Sequence, residues 1–471
     1  MVKGISFSKQ FIFKLSMRLR TLTLLALVAA YTSSAQDSVT FRKISDEIML
    51  HGTCYDNLRV LTKTIGRRIS GSPAAARAVE WGEKTMKATG ADRVWLQPAD
   101  VPYWFRGKES LYLDMGDHYE KVPVLSLGNS QGTDGQTLAA PIIMVHNFDE
   151  FNALPESAVK GKIVFFDYRF RQDLIFTFQG YGDAVRYRGA APSMAAKKGA
   201  VGVIIRSVST GEDDFPHTGG THYNDSFKKI PAMAIGNRTA DRLEKACQPN
   251  TRVMAKMNSE CHMMPGLVHS YNVIGEIKGT DNPEQIITVG GHLDSWDVGE
   301  GATDDGAGCV QSMEVLRAFK ALGLKPKCTI RAVLFMNEEN GQKGGQAYAD
   351  SAVSKHEHHV IAIETDAGGF APRGIGLVMS QAQKEKIQQY KNLFLPYGVY
   401  DFDHEDGGSD IEPIHNKLDV PLAGLIPDSQ RYFDVHHSDN DVFENVNHRE
   451  LKLGAVVLTQ FIWLVSQQGL N

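Results

Sequence analysis

Residues 286–294 read Ile286-Ile287-Thr288-Val289-Gly290-Gly291-His292-Leu293-Asp294. Four β-branched residues in an unbroken run, closed by two glycines, predict a strand buried on both faces, as in a parallel sheet covered by helices. Two further runs end in the same way. Thr329 to Met336 leads into Asn337-Glu338-Glu339, and Val360 to Ile363 leads into Glu364-Thr365-Asp366. Side chains at the carboxyl ends of neighbouring parallel strands converge, so these loops are expected to share one crevice.

Working outward, further strands are expected at Ile375 to Val378 and Leu422 to Ile426. Val310, Met313, Leu316 and Phe319 recur at helical spacing, and a last helix is expected from about His448 to Val465. The alternation predicts an α/β fold with a mostly parallel, mixed central sheet flanked by helices. Upstream, a helical region is expected over 41–69. A second helix is expected to open at Ser72-Pro73, where serine caps and proline suits the first turn, and to stop before Gly90. Between them and the sheet, residues 121–270 hold brief β-rich runs such as Ile142 to Val145 and Ile163 to Phe166, broken by Gly, Asn and Pro. This texture marks a separate inserted unit. The expected division is a leader over 1–35, an N-terminal part of the main domain over 36–120, the insert over 121–270 and the rest of the main domain over 271–471.

Arg18 and Arg20 precede an apolar stretch from Leu22 to Ala30, followed by Ser33-Ser34-Ala35, the layout of a secretory signal peptide. These nine residues, eight of them apolar, fall far short of the ~20 that a spanning helix needs. Export to a periplasmic or extracellular space, with cleavage after Ala35, is therefore expected, and no stable membrane span. Met17-Arg18-Leu19-Arg20 would itself make a compact basic region, which points to Met17 as the start. The leader holds five basic residues and no acid, so the 50 Lys and Arg against 55 Asp and Glu become 45 against 55 beyond it. A net charge near −10 argues against nucleic acid or an acidic membrane as partner. Five cysteines remain, Cys54, Cys247, Cys261, Cys309 and Cys328. Cys247 and Cys261 could close a loop in an oxidising compartment, but sparse cysteines in a large core are more often buried thiols.

The chemistry lies in the loops. Besides the three strand ends, Gly301-Ala302-Thr303-Asp304-Asp305-Gly306 and His436-His437-Ser438-Asp439-Asn440-Asp441 add carboxylates and imidazoles. Imidazole nitrogen and carboxylate oxygen suit divalent zinc, and a pair of ions needs about five protein ligands with one carboxylate shared. A lone His-x-Asp is usually a satisfied pair, and adjacent glutamates are usually a solvated helix face. The conjunction of such loops on strand ends is what singles out a site.

These stretches, with Gly291-His292-Leu293-Asp294-Ser295-Trp296-Asp297 and Gly301 through Gly308, resemble the motifs of the co-catalytic two-zinc aminopeptidase family over nearly all of the mature chain. The resemblance implies two Zn2+ ions, one held by His292 and Asp366, the other by Glu339 and His437, with Asp304 bridging. It implies Glu338 as general base, acting on a water shared by the two ions. It implies Asp294 behind His292, fixing its tautomer, and a cis peptide at Asp304–Asp305. Asp441 stands four places after His437, as the family pattern requires of the ligand histidine. His436 then falls where relatives polarise the scissile carbonyl. Asp410 or Glu300 are the carboxylates that could receive a substrate amine. Relatives that trim terminal glutamate use an arginine pair where this chain reads Pro421 to Ile426, so strict acidic specificity is not expected. Val159 to Val164 and Ile230 to Gly236 resemble the protease-associated domain inserted in such enzymes, and a homodimer is implied.

The expected activity is thus a secreted metallo-exopeptidase acting on short peptides or dipeptides with free termini. A zinc amidohydrolase or glutaminyl cyclase-like enzyme is the first alternative, separated by a panel of free, blocked and glutaminyl peptides. A non-catalytic binding protein of the same fold is the second, and the retained metal ligands and Glu338 stand against it.

Overall fold

A computed structural model describes residues 37–116 and 118–470, so the expected leader lies outside the described residues. Among them, no helix is long and apolar enough to cross a membrane.

The main sheet has seven strands, in the order Arg93–Val101, Val268–Ile277, Cys328–Phe335, Asn282–His292, His358–Glu364, Leu422–Pro427 and Pro372–Val378. The three pairings among the central four strands are parallel, and the three at the margins are antiparallel. All eight residues of Cys328–Phe335 are buried. Alternate side chains serve opposite cores: Ile330, Ala332 and Leu334 pack with Val310, Met313 and Phe461, while Val333 and Phe335 pack with Tyr348, Ala349 and Ile414. Truncating a residue such as Leu334 to alanine would cost about 2–5 kcal/mol.

The helix expected at Ser72-Pro73 forms where the sequence places it. Ser72 Oγ accepts from the Ala75 amide at 3.1 Å, Pro73 occupies the first turn, and the helix ends at Ala88, ahead of the left-handed Gly90. The expected helical region over 41–69 is instead broken at 52–53, between a helix over 37–51 and Cys54–Val60. The helix Ala307–Ala321 packs against the C-terminal helix His448–Gln468.

An eight-stranded second sheet runs in the order Tyr119–Val122, Glu109–Asp114, Met254–Ser259, Leu138–Val145, Ile163–Phe166, Gly202–Arg206, Ala232–Ile235 and Leu125–Ser126. Its strands thus come from residues 109–259, it carries helices including Thr177–Gly189 and Asn237–Ala246, and it has core clusters of its own. All five cysteines are free thiols. Cys261 packs in a different cluster from Cys247 and contacts Ser130 Oγ, while Cys309 sits in the core of its helix.

At the start of the strand His358–Glu364, Arg331 is held by Glu357 at 2.8 Å and Glu276 at 3.3 Å, and His359 lies 3.1 Å from Glu357. The arginine and histidine hold the Glu357 carboxyl down, against the effect of burial, at about 2.

Candidate active site

His292 ends the strand Asn282–His292 and is buried. Gly291 beside it has no room for a side chain, because Asp305 packs there; Asp305 Oδ2 accepts from the His292 amide and Oδ1 from the Gly308 amide. His292 Nδ1 donates to the Asp294 backbone carbonyl at 3.0 Å, which leaves Nε2 facing Asp304 Oδ1 at 3.0 Å and Asp366 Oδ1 at 3.5 Å. The Asp294 carboxylate lies farther from Nδ1, at 4.0 Å, and makes no hydrogen bond to it. It accepts instead from the amides of Asn337 at 2.6 Å and Glu338 at 3.2 Å, where the left-handed Asn337 turns the chain. Burial pushes this carboxyl up to about 6.

Asp304 lies between two histidines. Its Oδ2 is 3.0 Å from His437 Nε2 and 3.5 Å from His436 Nε2. The Asp304–Asp305 peptide is cis. Asp441 accepts from the amides of Thr303 at 2.7 Å and Asp304 at 3.1 Å, so the acid four places after His437 positions the central aspartate. Glu339 Oε2 lies 3.1 Å from His437 Nε2, and Oε1 accepts from the Trp296 amide. Beneath this crevice the buried Arg68 donates to the carbonyls of Leu293, Glu300 and Gly301, fixing the loop between His292 and Asp304.

Burial pushes the Glu339 carboxyl up to about 8 and that of Asp366 to about 7. Burial would lower His437, but the charges of Glu339 and Asp304 carry it to about 9. Two groups thus bring ligand atoms within 4.8 Å of one another: His292, Asp304 and Asp366, and Asp304, His436 and His437. Asp304 Oδ2 and Asp366 Oδ1 are buried without an aligned hydrogen-bond partner. Crowded acceptors of this kind, with three imidazoles among them, are a donor set for divalent cations of the zinc type. A third group, His146, Asp167 and Glu244, lies apart in the second unit, where Arg206 and Arg169 pair its carboxylates.

Glu338 lines the same pocket but belongs to neither group; Ser409 Oγ donates to its Oε1 at 2.5 Å. Asp410, next to Ser409, is buried and does not line the pocket, so it is not placed to meet a substrate amine. Gly408 has φ of 94°, and the amides of Asp410 and Ile411 both bond Glu364 Oε2, which turns Ser409 outward and Asp410 inward. Glu300 is committed to Lys63 at 2.7 Å and to the Phe443 amide. Arg431 pairs with Glu450.

The pocket, about 1300 Å³, has a second wall that the sequence did not announce. Asn129, Tyr181, Arg188, His222 and Asn224 of the second unit face the strand-end loops. The same unit clasps the segment that carries His437: Ser209 Oγ donates to the Phe433 carbonyl, His217 Nδ1 to that of His436, and the Thr218 amide to that of His437. Gly128 lies directly against the Trp296 indole, where any side chain would collide.

The model of peptidase family M28 matches residues 272–462. Carboxypeptidase Q of Bos taurus is 32% identical over 91% of this chain and 92% of its own. The crystal structure of a peptidase M28 precursor from Shewanella amazonensis superposes with a TM-score of 0.87, at 31% identity, over 92% of this chain and 97% of that one. A zinc aminopeptidase from Bacillus subtilis shares the fold, with a TM-score of 0.62 at 21% identity over 86% and 92% of the two chains.

Proposed function

Because the chain belongs to peptidase family M28 and is a metallopeptidase, we propose that it is an exported two-zinc exopeptidase that hydrolyses dipeptides or short peptides with free termini. The observation that carries this reading is Asp304, whose two oxygens each lie 3.0 Å from a different histidine Nε2. His292 and Asp366 would hold one zinc, Glu339 and His437 the other, with Asp304 shared. The buried, unpartnered oxygens of Asp304 and Asp366 support that fit. When bound, the zinc pair supplies Lewis acidity to the scissile carbonyl and lowers the proton affinity of water in the site.

The chain's own residues do the rest. Glu338 takes the proton of the attacking water and returns it to the leaving amine, work that a carboxylate can do only while it is not a ligand. Ser409 holds one of its oxygens and Asp294 holds its amide, so the free oxygen has a fixed approach to the pocket. The second unit, read as a protease-associated-type insert, narrows the cleft so that short peptides fit best. An apolar leader removed after Ala35 completes the reading.

The test is zinc content together with hydrolysis of free dipeptides, blocked dipeptides and glutaminyl peptides, before and after chelation. Zinc-dependent cleavage of the free dipeptides is expected. Turnover confined to blocked or glutaminyl substrates would overturn the reading.

A further inference from the structure

The helix Thr177–Gly189 belongs to the second unit, yet Tyr181 and Arg188 reach the pocket beside Asp304 and Glu338. Arg188 is buried, and among the described residues no carboxylate pairs with it. Buried arginines are ordinarily matched by an anion. Here Nη1 donates to the Thr218 carbonyl at 3.3 Å and lies 3.1 Å from His437 Nδ1, while Nη2 donates to Tyr181 Oη at 2.8 Å.

A phenol oxygen that accepts from a guanidinium keeps its own proton to give, and the neighbouring cation strengthens it as a donor. No protein acceptor takes that proton among the described residues. The ring is fixed, stacked on Phe433 at 4.9 Å and edge-on to His436 at 5.4 Å. Burial pushes the phenol up, so the hydroxyl stays protonated. One alternative donor, His436, stacks on His437 at 3.5 Å and turns Nε2 toward Asp304.

We propose that Tyr181 is a catalytic residue: held by Arg188, its hydroxyl donates a hydrogen bond to the scissile carbonyl oxygen as that oxygen gains negative charge. No proton is transferred in this step; the donor stabilises charge where it develops. The inference rests on the peptidase reading above, and it makes the second unit a contributor to the reaction as well as a wall.

Tyr181→Phe keeps the ring packing and removes only the donor. Its kcat for a free dipeptide should fall by about 10²–10³, with KM within about threefold and zinc content and melting temperature unchanged. Affinity for a phosphinic dipeptide analogue, which carries the tetrahedral oxyanion, should fall by the same factor as kcat/KM, measured by calorimetry. Unchanged kcat, or a loss confined to KM, overturns the proposal. Should the phenylalanine variant misfold, Tyr181→3,5-difluorotyrosine tests the same hydroxyl, because it ionises at lower pH. The alkaline limb of kcat must then move down, and an unmoved limb overturns the proposal. A wild-type protein that neither holds zinc nor cleaves dipeptides refutes the peptidase reading; an active wild type with unaffected variants refutes only the role of Tyr181.

Discussion

Ser409 Oγ donates a 2.5 Å hydrogen bond to Glu338 Oε1, across 71 residues of sequence. A hydroxyl in that position fixes the carboxylate rotamer of Glu338, which lines the pocket, and leaves its second oxygen free of that bond.

Glu338→Gln should retain both zinc ions and lose about two to four orders of magnitude in kcat. Ser409→Ala should cost less, about tenfold, the equivalent of one hydrogen bond to a charged group. Zinc analysis alongside steady-state kinetics checks both, and near-normal turnover of Glu338→Gln would remove it from the proton path.

The metal ligands should separate by number of ions lost. Asp304→Ala is expected to abolish binding of both, since each of its oxygens faces a different histidine. His292→Ala and His437→Ala should each leave the other half of the cluster intact and retain one. Equilibrium dialysis with zinc, read per mole of protein, distinguishes two, one and none.

Asp294 is predicted to act on stability more than on metal. Asp294→Ala strands the amides of Asn337 and Glu338, and an unpaired buried donor costs about 1–3 kcal/mol. Asp294→Asn keeps one carbonyl oxygen and should lose less. Denaturant unfolding of the two variants ranks them.

The Glu357 cluster predicts acid sensitivity. Its folded pKa of about 2 lies below the ordinary value of 4.5, so its contribution is fully present above pH 4.5 and is lost as the pH falls from there toward 2. The pairing is worth about 2 kcal/mol after allowance for solvent screening. Melting curves of Glu357→Gln should be lower than wild type at pH 7 and converge with it near pH 2.

The strand ends were legible because each is local: a β-branched run, a glycine or asparagine turn, then the acid or imidazole. The observed residues His292, Glu339, Asp366 and His437 do meet around Asp304. Tyr181 and Arg188 carried no such signal. They sit on an ordinary helix of another sheet, and their place beside His437 depends on contacts spanning about 250 residues. Asp410, a carboxylate that could receive a substrate amine on sequence alone, is turned away from the cleft and Ser409 toward it, because the left-handed turn at Gly408 decides which of two neighbours faces the pocket and glycine permits either outcome. The bond from His292 Nδ1 to the Asp294 carbonyl was not legible for a similar reason, since a backbone carbonyl has no residue type to read.

The strand Arg93–Val101 pairs along its whole length with Val268–Ile277 and with no other strand of the main sheet. During synthesis it leaves the ribosome roughly 170 residues ahead of that partner, which at ~5–20 residues per second is about 10–30 s. For that interval the intervening sheet can fold while the earlier strand waits for its partner, so this pairing closes the main sheet only after the second unit has been made.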